Sequence, residues 1–278
     1  MSEVSIQELE NIANRIDKLL RPTSFPIGVK LFEHEEEVDN IRDKEDRPIR
    51  KIQGKNLAVC QVLGQARFLG QVKVASKKNA SMCMYGSAVL GFEKLPLEYM
   101  HGYVRAYFND EKVAEKNFAN TPMFKEGSHE AILVAPLEKM PVIPDVVIFY
   151  GNTAQIYRLI HAYNYNKGVR LEFSSNGEAG GCADIIVSPM LTKKPSVAFP
   201  CNGARMLSWP SDDGLACGIS ISILKELLEG LEFTHDGMIR YPLTWQQLDW
   251  EVPEGTILWN AIRAKGFYPP DQRHPERK

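Results

Sequence analysis

Four of the five cysteines in this 278-residue chain have a spacing that could hold an iron–sulfur cluster or a metal. Cys60 and Cys83 are separated by 22 residues, and Cys182 and Cys201 by 18. Cysteine thiolates hold iron–sulfur clusters and are common ligands of zinc. The pattern favours iron in a cluster over zinc, because the short Cys-x2–4-Cys spacing that is typical of zinc sites is absent.

The same cysteines have two other interpretations. One is a catalytic thiol, because Cys60 and Cys182 are predicted in the first turn of a helix, where the helix dipole lowers the pKa of a thiol. The other is that all four are core residues, since free cysteine is among the most buried residue types. The fifth, Cys217, lies in an apolar run over 215–219 and is expected in the core.

Three polar residues near these cysteines or near a predicted turn are candidate substrate ligands. Arg67 and Arg205 each follow a cysteine closely, and a guanidinium can bind a carboxylate or phosphate through two hydrogen bonds. Arg205 has the alternative of a surface ion pair with Asp212 or Asp213. Gln155 follows a strand-to-helix turn, which is where α/β proteins place ligands. We expect an acidic small molecule as substrate.

Composition and motifs exclude several classes of protein. The 33 Lys and Arg residues against 35 Asp and Glu give a formal net charge of -2, whereas a nucleic-acid binder usually has a basic excess. Neither a nucleotide-binding glycine motif nor the elbow motif of serine hydrolases occurs. The chain has no apolar run of about 18 residues and no apolar stretch near its start. We therefore expect a cytoplasmic protein with no membrane partner and with reduced cysteines.

The elements predicted around the cysteines alternate between strands and helices. The segment 144–150, PDVVIFY, is a continuous apolar run, which is typical of a strand buried on both faces. The periodicity of apolar residues predicts helices over 5–20, 57–68, 83–90, 110–118, 153–163, 182–191 and 222–231. Strands are predicted over 27–32, 71–75, 102–108, 131–136, 145–150, 196–199 and 215–219.

The order of these elements repeats along the chain. Each half, about 20–120 and 144–235, has one cysteine on a short helix and another in a glycine-containing loop after the next strand. The sequence therefore predicts an α/β fold in which residues 1–242 form one compact unit of two similar halves around a pseudo-two-fold axis. The four cysteines are expected to meet between the halves. Residues 243–278 are predicted to be a C-terminal extension.

Several of these segments together resemble the family known as domain of unknown function 169. The resemblance covers about residues 20–245. It rests on PIGVKLF at 26–32, Cys60-Gln61, Ala66-Arg67, Cys83 with Gly86 and Gly91, PDVVIFY at 144–150, Gln155, His161-Ala-Tyr163, Cys182-Ala183 and PCNGAR at 200–205. It implies a soluble protein that is common in anaerobic bacteria and archaea and often contains several cysteines. It supplies no catalytic residue, because the family has no assigned activity.

These observations lead to one hypothesis and two alternatives. The hypothesis is a lyase or oxidoreductase of anaerobic metabolism, in which Cys60, Cys83, Cys182 and Cys201 hold an iron–sulfur cluster that acts as a Lewis acid or an electron carrier. The first alternative is a non-catalytic protein that binds or delivers a metal or cofactor. The second is a metal-free enzyme that uses a cysteine thiolate. A homo-oligomer is compatible with all three.

Overall fold

A six-stranded antiparallel sheet lies at the centre of the computed structural model, which describes residues 4–104, 106–208, 211–236 and 239–242. Every neighbouring pair of strands is antiparallel. The mixed α/β class expected from the sequence is confirmed. The strands are β1 (Ile27–Phe32), β2 (Lys73–Ser76), β3 (Ala131–Pro136), β4 (Val146–Gly151), β5 (Ser196–Ala198) and β6 (Leu215–Ser220).

The first and fourth strands of the chain pair at the centre of this sheet. The strand order is β2-β3-β1-β4-β6-β5. In the central pair, Ile27 lies opposite Ile148 and Val29 opposite Val146. Short strands β2 and β5 form the two edges, so little backbone is left to pair with another chain.

Helices cover both faces of the sheet and create two separate cores. Val146, Ile148 and Tyr150 of β4 face one core, whereas Val147 and Phe149 face the other. The predicted burial of this strand on both faces is therefore confirmed. The α-helices are α1 (Ile6–Leu20), α2 (Val59–Leu69), α3 (Met84–Val89), α4 (Leu97–Gly102), α5 (Glu111–Ala119), α6 (Thr153–Asn164), α7 (Ser188–Thr192), α8 (Asn202–Leu207) and α9 (Leu224–Asp236).

The two helical layers contain different elements. Helices α1, α6 and α9 pack on one face, where their apolar residues surround Val147, Phe149 and Cys217. Helices α2, α3, α5 and α8 pack on the other face with a π-helix over Gly180–Val187. Single turns of 3-10 helix occur at Glu35–Val38, Leu137–Lys139 and Ile221–Ile223.

The predicted strand over 102–108 is wrong. Pro96 precedes α4, and the backbone continues after this helix in turns whose N–H groups bond three or four residues back, such as Tyr107 to the carbonyl of Tyr103. Tyr99, Tyr103 and Tyr107 are spaced by four residues, and the ring centroids of successive members lie 5.4 and 5.0 Å apart. Four residues of a strand would separate them by about 13 Å, so the backbone here is helical or turning.

The predicted helices all occur, and each begins within two residues of its expected position. The segment predicted as a helix over 182–191 is in fact the π-helix followed directly by α7. No helix in the part of the chain that the structure describes is long and apolar enough to cross a membrane. The predicted extension, 243–278, lies outside the described residues.

Packing of α6 against α9 depends on the missing side chain of Gly230, so we expect Gly230→Ala to destabilise the protein. A Cβ atom at this position would lie 2.1 Å from the carbonyl oxygen of Ala162. Overpacking of this kind costs about 1–3 kcal/mol, which urea denaturation would detect. Gly102→Ala is the control, because a Cβ there meets no described atom within 4 Å. Equal stability of the two variants would contradict the prediction.

Candidate functional site

Four cysteines line one cavity of about 200 Å³ in the helical layer that contains α2, α3, α8 and the π-helix. They are Cys60, Cys83, Cys182 and Cys201, and all four are free thiols. Cys60 and Cys182 are buried, whereas Cys83 and Cys201 are partly exposed. Cys217 packs in the core on the opposite face of the sheet. The cavity thus contains the four cysteines that the repeat pattern matched.

Each of these cysteines lies at the start of a helical segment. Cys60 is the second residue of α2, and Cys182 is the third residue of the π-helix. Cys83 and Cys201 immediately precede α3 and α8. The first N–H groups of a helix have no partner within the helix, so they are available to a sulfur at this position. Four helical segments therefore begin at one cavity.

Backbone N–H groups approach two of the sulfurs directly. The N–H of Gly86 donates to Cys83 Sγ at 3.4 Å. The backbone N–H groups of Gly181 and Ala204 lie near the sulfur of Cys201 and lower its pKa in part. Such donors stabilise negative charge on sulfur, and hydrogen bonds to sulfur are one of the levers that set the potential of an iron–sulfur cluster.

Glycine permits the close approach of the segments that hold the cysteines. A Cβ atom on Gly86 would lie 3.2 Å from Cys182 Sγ and 3.7 Å from Cys83 Sγ. A Cβ atom on Gly180 would lie 2.2 Å from the carbonyl oxygen of Phe199. Sulfurs from the two halves of the chain therefore meet beside α3, and the π-helix starts against the segment that leads to Cys201.

Burial disfavours the thiolate form of Cys60, Cys182 and Cys201. It raises the pKa of Cys60 to about 12, with smaller contributions from the neighbouring Cys201 and Cys83. Burial likewise raises the pKa of Cys182 well above its ordinary value, and it raises that of Cys201. A catalytic cysteine needs the opposite shift, because the thiolate is the nucleophile. Metal binding would have to release these protons.

The described residues contain no ready-made site for a single metal ion. In the described residues, no three or more His, Cys, Asp or Glu side chains are close enough to hold a single ion. A zinc site brings four sulfurs to about 2.3 Å from one ion. In a four-iron cluster each thiolate binds a different iron atom, so the sulfurs stand farther apart and enclose a larger space.

The predicted substrate ligands lie elsewhere. Arg67 is buried against the ring of Tyr150, 4.0 Å from its centroid, and its Nε donates to Ser24 Oγ at 2.8 Å. It lines a different cavity, of about 370 Å³, near the end of α1. Arg205 is exposed and forms an ion pair with Asp212 at 2.5 Å, the alternative that the sequence allowed.

Gln155 has a capping role in the structure. Its side-chain N–H groups donate to the carbonyl oxygens of Leu20 and Arg21, both at 2.9 Å, and its side-chain oxygen accepts from the N–H of Asn152. These bonds join the end of α1 to the start of α6. Like the two arginines, Gln155 is not among the residues that line the four-cysteine cavity.

Sequence reasoning missed the polar wall of the cavity, which Tyr85, Tyr103, Tyr107 and Glu178 form. The hydroxyl groups of Tyr85 and Thr121 share a hydrogen bond of 2.6 Å. Burial raises the pKa of Glu178 from its ordinary value. The four-residue spacing of the tyrosines was a usable signal, but nothing in the sequence connects that segment with Glu178.

Comparison with known proteins gives a family but no activity. The family model of domain of unknown function 169 (DUF169), described as uncharacterised ArCR, matches residues 15–230. The chain belongs to this family. This DUF169 protein is also 25% identical over 233 residues to an uncharacterized protein of Methanocaldococcus jannaschii, in a match that covers 82% of the chain and 96% of the relative. No solved structure matches it significantly. The matched range contains all four cavity cysteines.

Because burial raises the pKa of Cys60 and of Cys182, we expect slow alkylation of both thiols in the reduced, metal-free protein at pH 8. Their thiolate fraction is small, so iodoacetamide should modify them at least about tenfold more slowly than the same cysteines in the urea-unfolded chain. Mass spectrometry of tryptic peptides measures both rates. Rapid modification of either residue in the folded protein would instead favour the catalytic-thiolate alternative.

Proposed function

We propose that this DUF169 protein is a cytoplasmic iron–sulfur enzyme of anaerobic metabolism. Cys60, Cys83, Cys182 and Cys201 would hold the cluster. The observation that carries the proposal is the convergence of these four side chains on one cavity. The four cysteines are far apart in the sequence, so core packing alone would not be expected to bring all of them to one small cavity.

Backbone donors would compensate part of the charge of a cluster at this site. Four thiolates give a cluster a net negative charge, which is costly to bury unless dipoles or hydrogen bonds compensate it. The N–H groups of Gly86, Gly181 and Ala204 are already directed toward the sulfurs. No histidine, lysine or arginine is among the described residues that line the cavity. Backbone donors are thus the source of compensation that this site offers.

Two structurally similar halves are part of the proposal, with bounds that differ from those expected. From the centre outward, the sheet order is β1-β3-β2 on one side and β4-β6-β5 on the other. The N–H of Leu137, just after β3, bonds the carbonyl of Pro26, and the N–H of Ile221, just after β6, bonds that of Asp145. These matches support β3 as the third strand of the proposed first half.

The pseudo-two-fold axis of this arrangement would pass between β1 and β4. Such an axis relates α2 to the π-helix and α3 to α8, since these elements lie in equivalent positions along the two halves. It therefore pairs Cys60 with Cys182 and Cys83 with Cys201. A four-iron cluster presents four equivalent ligand positions, which suits two symmetry-related pairs of thiolates.

Four cysteine ligands favour electron transfer over Lewis-acid chemistry. Lewis-acid catalysis needs a metal with an open position for the substrate, and four thiolates would leave none on a four-iron cluster. We therefore prefer an oxidoreductase to a lyase. The second candidate, a protein that carries or delivers a cluster, uses the same ligands. The partial exposure of Cys83 and Cys201 favours it, since transfer requires access; turnover separates the two.

We expect the protein to be brown after anaerobic purification or reconstitution with iron and sulfide, with about two or four irons per chain. Replacing any of Cys60, Cys83, Cys182 or Cys201 by serine should remove most of the colour and iron together. Cys217→Ser is the matched control, because this residue lies in the opposite core. Metal analysis and visible absorbance measure the result.

An iron-free, colourless protein under these conditions would contradict the proposed function. So would Cys217→Ser losing as much iron as Cys83→Ser. Circular dichroism of every variant separates loss of ligation from loss of the fold.

The space around Gly86 gives a second test of the proposed cluster site. We expect Gly86→Ala to lower iron occupancy, because its Cβ atom would displace Cys182 Sγ by a few tenths of an ångström while α3 gains a better helix-forming residue. The control is Gly203→Ala, which lies in the same cavity wall but meets no described atom within 4 Å. Equal iron content in the two variants would count against the site.

A further inference from the structure

We propose that the polar end of the four-cysteine cavity binds a small organic cation, in its simplest form a primary alkylammonium, with Glu178 as its counter-charge. This deepens the proposed function, on which it rests, by naming the class of molecule that binds beside the cluster. It replaces the acidic substrate that the sequence suggested.

The charges of the cavity wall select against an anion. Glu178 is the one carboxylic side chain among the described residues of the wall, which include no lysine, arginine or histidine. A four-thiolate cluster would add further negative charge. A small cleft lined by charge of one sign concentrates molecules of the opposite sign. The two arginines that suggested an acidic ligand do not line this cavity.

Glu178 itself lacks a positive partner within the cavity wall. It lies two residues before the π-helix and is half-buried. Burial raises its pKa, which shows that its surroundings disfavour the ionised carboxylate. A bound ammonium group would remove this cost by pairing with the carboxylate and replacing lost water. The carboxylate of Glu178 thus has no opposite charge in the cavity wall, and a bound cation would supply one.

Aromatic rings supply the second feature of a cation site. Tyr103 and Tyr107 lie side by side in the wall, with ring centroids 5.0 Å apart and planes tilted by 31°. Tyr107 is 43% exposed, so it lies at the mouth. The faces of tyrosine rings attract ammonium groups within about 6 Å. An amine in this cavity would meet the aromatic surface of Tyr103 and Tyr107 as well as the carboxylate of Glu178.

The size of the cavity limits the ligand to a few heavy atoms. Its volume of about 200 Å³ is below the range of roughly 300–1,000 Å³ that is usual for drug-sized ligands, and a bound cluster would fill part of it, which leaves the mouth for the ligand. At the mouth, Asn202 Nδ2 donates to the hydroxyl oxygen of Tyr107 at 2.9 Å and joins α8 to the turns after α4. Short alkyl amines fit these limits.

Two three-carbon ions of opposite charge, propylammonium and propionate, test the inference by calorimetric titration of the anaerobically reconstituted protein. We expect propylammonium to bind in the millimolar range and propionate to bind at least tenfold more weakly. Glu178→Gln should weaken propylammonium binding at least tenfold, and Tyr107→Leu should weaken it as well. Glu172→Gln is the control, because Glu172 is exposed in the segment just before and does not line the cavity.

Propionate binding as tight as propylammonium binding would overturn the inference. So would unchanged propylammonium affinity in Glu178→Gln while that variant still holds wild-type iron. A wild-type chain that takes up no iron overturns the proposed function instead, and metal analysis of the same samples separates the two failures.

Discussion

Backbone-to-backbone contact between the π-helix and the sheet is the constraint on which the cavity depends. A Cβ atom on Gly218 of β6 would lie 2.1 Å from the carbonyl oxygen of Ile185 in the π-helix. The missing Cβ atom therefore allows this helix to lie directly on the sheet, with all eight of its residues buried. Gly180 makes a similar contact with Phe199. Cys182 is thereby held at a depth where the sulfurs of the other half can reach it.

The segment that presents Cys182 is unusual in its backbone as well as in its packing. Ala179, directly before the π-helix, has φ 52°, a left-handed conformation that a residue with a Cβ atom rarely adopts. Both π-helical turns and such strained residues tend to occur at functional sites. In this protein the left-handed backbone of Ala179 lies close to buried thiols whose pKa is raised. Both unfavourable features would have one explanation if the fold is built to hold a ligand that displaces the thiol protons.

The sequence predicts the elements well but the neighbours of the site poorly. Apolar periodicity locates α1, α6 and α9, because burial on one face determines where each helix lies. Distance along the chain misleads for Arg67, which follows Cys60 by seven residues in α2. In the fold its guanidinium lies over the ring of Tyr150 and lines a different cavity from the sulfurs. The wall that contains Glu178 and Tyr103 is assembled by tertiary contacts between distant segments, which no local pattern encodes.

The proposed duplication also accounts for where the site becomes asymmetric. After α8 the second half reaches its third strand within seven residues, 208–214, whereas the first half uses 90–130 between α3 and β3. That longer connection contains α4, α5 and the turns with Tyr103 and Tyr107. Cysteines would thus come from the repeated elements and the aromatic wall from an insertion in one copy. A symmetric pair of halves suffices to hold a symmetric cluster, but it leaves both sides of that cluster alike. On this proposal the insertion closes one side of the cavity with tyrosines, so that a bound molecule would approach the proposed cluster from one direction.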